Sequence, residues 1–287
     1  GTFLIEGTGA LLLATRFIPR FGIANGIYFS VFHAISAFCN GGFDLMGIDE
    51  AYSSLVSFEG DILVNVVICL LILIGGIGFI VWDDVLKHKW HFKKYLLHSK
   101  IVIVSTLGLT VAGTILFLVF ENGATFAGMT PVQKLLGALF ASVTPRTAGF
   151  NTVDTGAMSN AGMLLTMLLM FIGGSPGSTA GGAKTTTMVA LVFYAAAMLR
   201  NREDINLFGR RLTADVVRKA NAVVVINLSL AFCAACVIMT MQPTISMPDV
   251  IFEVLSAINT VGMTTGITRE LGVFSKLIIA VLMYCGR

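Results

Sequence analysis

The chain has 287 residues, 56% of them hydrophobic and only 12% charged, with a formal net charge of +3. An ordinary soluble domain carries about 25% charged residues, so this composition excludes that class. Several apolar runs reach the roughly 20 residues that a helix needs to cross a bilayer, and together they mark a multi-pass integral membrane protein.

Residues 1–15 are already apolar, and 277–287 (LIIAVLMYCGR) break off inside a hydrophobic run. With no recognisable signal peptide, the sequence reads as an internal piece of a longer chain. Segment 24–39 (ANGIYFSVFHAISAFC) predicts a half-length helix ending in the turn NGGFD (40–44). A first span follows over 61–82 (DILVNVVICLLILIGGIGFIVW). The linker 83–100 carries five lysines among aromatic and leucine residues, the pattern of a surface-lying amphipathic element. A second span covers 101–120, and 131–145 (PVQKLLGALFASVTP) is too short to cross alone. It leads into TAGFN (147–151). Two short apolar stretches, 161–172 and 188–200, then flank GGSPGSTAGGAKTTT (173–187). The linker 200–219 holds five arginines and one lysine, 220–241 is the third span, and 247–259 (MPDVIFEVLSAIN) is another half-helix, ending in TVGMT (260–264).

The two linkers hold 11 of the 19 basic residues, which by the positive-inside rule places both in the cytoplasm. The half-helices are then re-entrant from the opposite side, where irregular backbone is tolerated only if buried in protein or lining water. Ten acids fall on that outer side (Asp44, Asp49, Glu50, Glu59, Asp61, Glu121, Asp154, Asp249, Glu253 and Glu270). They are expected to concentrate cations at a mouth, with Asp44 and Asp154 as mouth residues or bonded to nearby backbone. The five cysteines, Cys233 and Cys236 included, read as small core residues, and His88, His91 and His98 as a solvated face.

The three turns align without gaps. Their glycines, Gly42, Gly149 and Gly262, lie 107 and 113 residues apart (149 − 42 and 262 − 149), an internal repeat of helix, half-helix, turn and helix. A potassium ion entering a pore exchanges hydration water for oxygens, and backbone carbonyls can supply them only from an extended, strained chain that glycine permits. The half-helix ahead of each turn directs its partly negative C-terminal end at the same place. The expected potassium-binding residues are Asn40, Gly41, Gly42 and Phe43, then Thr147, Ala148, Gly149 and Phe150, and last Thr260, Val261, Gly262 and Met263. A ring takes four such turns; the fourth is assigned to a repeat before residue 1, giving a pseudo-fourfold pore.

The run 173–187 interrupts the second helix of the middle repeat. Gly177, Gly182 and Lys184 imitate a phosphate-binding loop, but Ala183 intrudes and no β-strand precedes it. Glycines, Ser175, Pro176 and Ser178 cannot sustain a helix, and broken membrane helices accompany substrate paths; a simple kink is the plainer alternative. Gly173, Gly174, Ser175, Pro176, Gly177, Ser178, Thr179, Gly181, Gly182 and Lys184 are the expected gate residues. Lys184 either snorkels to the interface or lies near the path. Arg287, low on the last helix, joins them as an intramembrane charge, and Arg146 is expected to brace the filter from behind.

With SAFCNGGFDLMG (36–47), TPRTAGFNTVD (144–154), GGSPGSTAGGAKTTT (173–187) and SAINTVGMTTGIT (256–268), the sequence resembles the Trk/Ktr/HKT superfamily of potassium transporters, most closely the bacterial Ktr-type membrane subunit. The resemblance implies an all-α polytopic fold of M1–pore loop–M2 units, of which this chain holds the second, third and fourth. These are 1–82, linker 83–100, 101–200 with a broken M2, linker 201–219, and 220–287. It implies potassium uptake across the bacterial inner membrane through carbonyl filters, with 173–187 as an intramembrane gate and an arginine matching Arg287 beside it. It also implies a homodimer seated on cytoplasmic nucleotide-binding regulatory subunits of the RCK/KTN type, among membrane lipid and without nucleic acid. K+ is the transported ion, Na+ a candidate coupling ion, and no cofactor is expected in this chain. The rivals are a sodium-permeable or weakly selective relative, an alternating-access symporter and a nucleotide-binding enzyme; no carboxylate–histidine pair, metal cluster or activated nucleophile supports an enzyme.

Overall fold

The structure, a computed structural model, describes residues 1–48, 51–89, 91–201, 206–207, 210–211 and 214–286. Arg287, Asp49 and Glu50 lie outside the described residues. Eleven α-helices are described: α1 (Thr2–Phe21), α2 (Ile23–Phe38), α3 (Ile62–Gly76), α4 (Phe79–His88), α5 (Leu97–Phe120), α6 (Pro131–Val143), α7 (Asn160–Phe171), α8 (Thr185–Leu199), α9 (Ala214–Met241), α10 (Met247–Ile258) and α11 (Val273–Gly286). In the second basic linker Asn206–Leu207 (β1) and Arg210–Arg211 (β2) pair antiparallel over two residues each. No other strand occurs among the described residues.

Helix α1 turns straight into α2 at Gly22, whose φ of 82° is open to glycine. The two helices pack closely because Gly26 lacks a side chain: a Cβ there would stand 2.5 Å from the Ile18 Cα. Phe17, Phe21, Phe29 and Phe58 fill the seam. Helix α5 presents Thr106, Thr110 and Thr114 inward at every fourth residue, each buried, while Val104, Leu107, Val111 and Ile115 face outward. Small and hydroxylated residues inside with apolar ones outside is the pattern of helices packed in lipid. Gly113 lets α6 approach until Ser142 Oγ bonds the Thr110 carbonyl at 3.0 Å. Helix α6 itself opens with a capping box between Thr130 and Gln133 and with Pro131 in its first turn.

Helices α5 and α9 are long and apolar enough to cross a membrane. The stretch 61–82, expected as one span, is instead α3 and α4 bent by 95°. The cause lies far away in sequence. A Cβ on Gly75 would sit 1.9 Å from the Phe38 carbonyl oxygen, so α3 docks there by its bare backbone. Just beyond, Gly76 O accepts Ser175 N at 3.1 Å and Phe79 N donates to Gly177 O at 3.1 Å. The helix breaks where the loop 172–184 takes over its hydrogen bonds, and Gly78, at φ 92°, makes the corner.

The outer acids are tied into the fold, Asp44 and Asp154 by the backbone bonds that were one of their two expected uses. Asp61, Asp154 and Asp249 sit at helix starts, where Asp61 and Asp154 accept backbone N–H groups and Asp249 bonds the capping Ser246. Asp44 accepts Met46 N at 3.0 Å. Glu121 is wholly buried, accepting Ser159 Oγ at 2.6 Å, Ser159 N at 3.0 Å and Thr125 Oγ1 at 2.8 Å. It ties the end of α5 to the start of α7. Hydrogen bonds to a buried charge contribute about 1.5–3 kcal/mol, so Glu121→Ala is expected to lower stability by about 2–3 kcal/mol. A fall in the thermal unfolding midpoint in detergent, larger than that of an exposed-acid control such as Glu270→Ala, measures it.

Candidate permeation site

Helices α2, α6 and α10 each run into one glycine turn. After α2, Cys39 N bonds Ile35 O at 2.8 Å, Asn40 N bonds Ala37 O at 3.1 Å and Gly41 N bonds Ser36 O at 2.8 Å. After α10, Asn259 N bonds Leu255 O at 3.1 Å, Thr260 N bonds Ala257 O at 3.0 Å and Val261 N bonds Ser256 O at 2.8 Å. A shift of 220 residues (256 − 36) carries one set onto the other, bond for bond. The turn after α6 is looser at its start: Ala148 N and Gly149 N both bond Thr144 O, at 3.0 and 3.3 Å.

In all three turns the backbone alternates in hand. Asn40, Thr147 and Thr260 have φ of 50°, 70° and 53°, and two residues on Gly42, Gly149 and Gly262 have φ of 69°, 90° and 88°. Left-handed backbone is rare for a β-branched residue. Such strain, about 1–3 kcal/mol per residue, persists where the surroundings over-determine it and clusters at functional sites.

The turns also converge. A Cβ on Gly42 would lie 2.3 Å from Ala148 O and 3.0 Å from Gly149 Cα; one on Gly149 would lie 2.4 Å from Val261 O and 3.5 Å from Gly42 Cα. Gly262 faces open space, with nothing within 4 Å of that position. The Gly42 turn meets the Gly149 turn and the Gly149 turn meets the Gly262 turn, with bare backbone between neighbours. Ala148, Phe150, Val261 and Met263 have buried side chains, whereas Phe43 is 72% exposed. The carbonyls of Phe43 and Phe150 accept Ser36 Oγ at 2.8 Å and Thr144 Oγ1 at 2.6 Å.

Loop 172–184 closes against the entry end of these turns. Thr179 Oγ1 lies 3.2 Å from Phe38 O, 3.3 Å from Asn40 Oδ1 and 3.3 Å from Gly75 O. A Cβ on Gly181 would meet Thr260 Oγ1 at 1.9 Å, and one on Gly182 would meet Asn259 O at 3.0 Å. The loop is sewn to itself through Gly173 N to Ala183 O at 2.8 Å and Thr185 N to Gly174 O at 3.1 Å. Lys184, left ambiguous by the sequence, donates to Ala180 O at 2.6 Å and so helps to close the loop. The Gly173 and Thr185 N–H groups and the Lys184 ammonium are thus engaged within the loop.

Arg146 is buried with its Nη2 2.7 Å from Thr110 Oγ1 and its Nη1 3.4 Å from Thr106 O. The guanidinium is thus bonded to α5. Asp154, like Asp44, bonds backbone two residues on, accepting Gly156 N at 2.9 Å. Sequence reading passed over His33 and gave Glu253 only a place among the outer acids. Both are buried on the half-helices, 0% and 6% exposed. The signal was available: each stands nine residues before its turn's glycine (42 − 33 and 262 − 253).

Comparison with known proteins agrees with this architecture. The chain is 44% identical over 288 residues to the potassium/sodium uptake protein NtpJ of Enterococcus hirae, covering 99% of this chain and 62% of that protein. It is 40% identical over 285 residues to the Ktr system potassium uptake protein B of Bacillus subtilis, covering 99% and 62%. The chain thus spans about three fifths of the length of these curated relatives. The crystal structure of the potassium transporter TrkH from Vibrio parahaemolyticus shares the fold, with a TM-score of 0.74 at 19% identity over 99% of this chain and 68% of that one. The sequence profile described as TrkH, cation transport protein, matches residues 10–287, and the chain is an integral membrane protein belonging to that family.

Proposed function

We propose that this chain forms part of a potassium uptake pathway in a bacterial inner membrane, with the three glycine turns as its selectivity filter. The observation that carries the reading is the approach of the Gly42, Gly149 and Gly262 turns to one another at distances that exclude a Cβ on Gly42 or Gly149, in backbone of alternating hand. K+ would give up hydration water to carbonyls of residues 40–42, 147–149 and 260–262, with a fourth turn closing the pseudo-fourfold ring on the open side of Gly262. Loop 173–187 would act as the gate at the inner end, released when its contacts to Asn40 and Thr260 open. The reading needs no enzymatic step and no cofactor in this chain. K+ is the cargo, and Na+ is either a coupling ion or a competing one, the latter favoured by the name of the Enterococcus relative. The name of the Ktr system relative supports a membrane subunit working with further subunits; a homodimer on cytoplasmic nucleotide-binding regulatory subunits is the form we propose, with the basic linkers 83–100 and 200–219 as the fitting contact.

K+ and Na+ flux through the full-length protein in liposomes tests the filter. Gly42→Ser, Gly149→Ser and Gly262→Ser each place an L-residue at positive φ, a strain of about 1–3 kcal/mol. Every 1.4 kcal/mol is tenfold, so the K+/Na+ flux ratio is expected to fall by about tenfold or more. A ratio unchanged in all three folded variants overturns the assignment.

Deletion of 175–182 tests the gate in the same liposomes. It removes the segment that touches both turns, so K+ flux is expected to rise severalfold. Equal or lower flux from normally folded protein makes the loop a structural strut.

A further inference from the structure

We propose that His33 and Glu253 are positioning residues for the filter, holding the chain where it leaves the glycine turn; this rests on the filter reading above. The 220-residue shift that superimposes the two turns' backbone bonds also places His33 on Glu253 (253 − 33). It carries Asp44 onto Thr264 as well, and each of those accepts the N–H two residues on, Met46 N and Gly266 N, both at 3.0 Å. The two half-helices therefore present one and the same position to their exits, and both fill it with a buried polar group.

His33 uses both ring nitrogens. Nδ1 lies 2.7 Å from the Phe29 carbonyl, which only accepts, so Nδ1 carries the hydrogen and Nε2 is left to accept. Leu45 N, three residues beyond Gly42, donates to it at 3.3 Å. The rings of Phe17, Phe29, Phe32 and Phe150 surround the imidazole and keep water from competing for that bond. Glu253 Oε1 accepts the Thr268 hydroxyl, and Thr268 in turn pairs with Thr264, hydroxyl to hydroxyl, at 2.8 Å. Each side chain reaches from a half-helix to the return segment and fixes the far end of the strained turn.

The middle turn supplies the internal control. Nine residues before Gly149 stands Phe140, buried and unable to bond. Its exit is held by the preceding unit instead: Asn151 N donates to Ser54 Oγ at 3.1 Å and Leu55 N to Asn151 O at 2.8 Å. Every exit has a tie, and where the half-helix offers none a neighbouring loop does. A strained turn anchored at its entry alone could relax its glycine peptide and lose the spacing of its carbonyls.

The test compares K+/Na+ flux ratios of the full-length protein in liposomes. His33→Phe installs the middle turn's residue without its compensating loop, and Glu253→Leu removes the second tie. A buried hydrogen bond worth about 1 kcal/mol corresponds to a loss of about fivefold in the ratio. His33→Gln and Glu253→Gln keep an acceptor in reach and are expected to retain most of it. Should His33→Phe not fold, His33→Asn, which keeps the Phe29 bond but is too short for Leu45, takes its place against His33→Gln. Equal ratios for the two members of either pair overturn the role of that residue. If Gly42→Ser lowers selectivity while these variants do not, the positioning role fails alone; if Gly42→Ser is also without effect, the filter reading has failed.

Discussion

The arrangement depends on one close approach, peptide against peptide, between successive glycine turns. Ala148 O and Val261 O occupy space that a β-carbon at Gly42 or Gly149 would need. Any other residue would push the turns apart before its own left-handed strain was counted. Bringing carbonyls together in this way is unfavourable in itself, because their dipoles repel and Asn40, Thr147 and Thr260 sit in sparsely populated backbone. The surrounding elements have to over-determine the geometry. They do so from three directions: the helix ends feeding each turn, the ties at each exit, and the loop packed against the entry residues.

That loop is explained by its neighbour. In a bilayer no backbone polar group can be left to lipid, and a break between α7 and α8 frees several. The break between α3 and α4 frees others. The structure pairs the two defects: Gly76 O takes Ser175 N, and Gly177 O takes Phe79 N. Neither break is tolerable alone, and each supplies what the other lacks. The loop is thus held by backbone bonds to a second interrupted helix and meets Thr260 and Asn259 through glycines.

Sequence patterns carried much of this, and their failures share a cause. The long spans α5 and α9 follow from uninterrupted apolar runs, and the half-helices 24–39, 131–145 and 247–259 fall within a residue or two of α2, α6 and α10. The 95° corner after α3 was marked in the sequence only by Gly75, Gly76 and Gly78, since its partner loop lies about a hundred residues on and hydropathy sees no partner. His33 and Glu253 were missed for the same reason: a titratable residue in an apolar helix shows its use only when the chain leaving the turn comes back to meet it. Apart from Asp44 and Asp154, for which bonding to nearby backbone was an alternative, the acids were read by sign. Whether an aspartate attracts an ion or caps a helix depends on which N–H faces it, and composition is silent on that.

The capping role changes the electrostatic account of the site. Asp44, Asp61, Asp154 and Asp249 are engaged at helix starts and tight turns, and Glu121 and Glu253 are buried in hydrogen bonds, so the N–H and O–H groups they accept fix where these carboxylates sit. Arg146 places a positive charge within the same layer, turned toward Thr106 and Thr110 on α5, where its field works against a cation in the turns. In the proposed filter the backbone itself would favour the ion. Each of the three half-helices runs by its C-terminal end into a glycine turn, where it carries roughly half an elementary negative charge, and the strained carbonyls would add their dipoles. A filter built as proposed would owe its attraction to peptide geometry, so its selectivity would follow from how rigidly the turns are held.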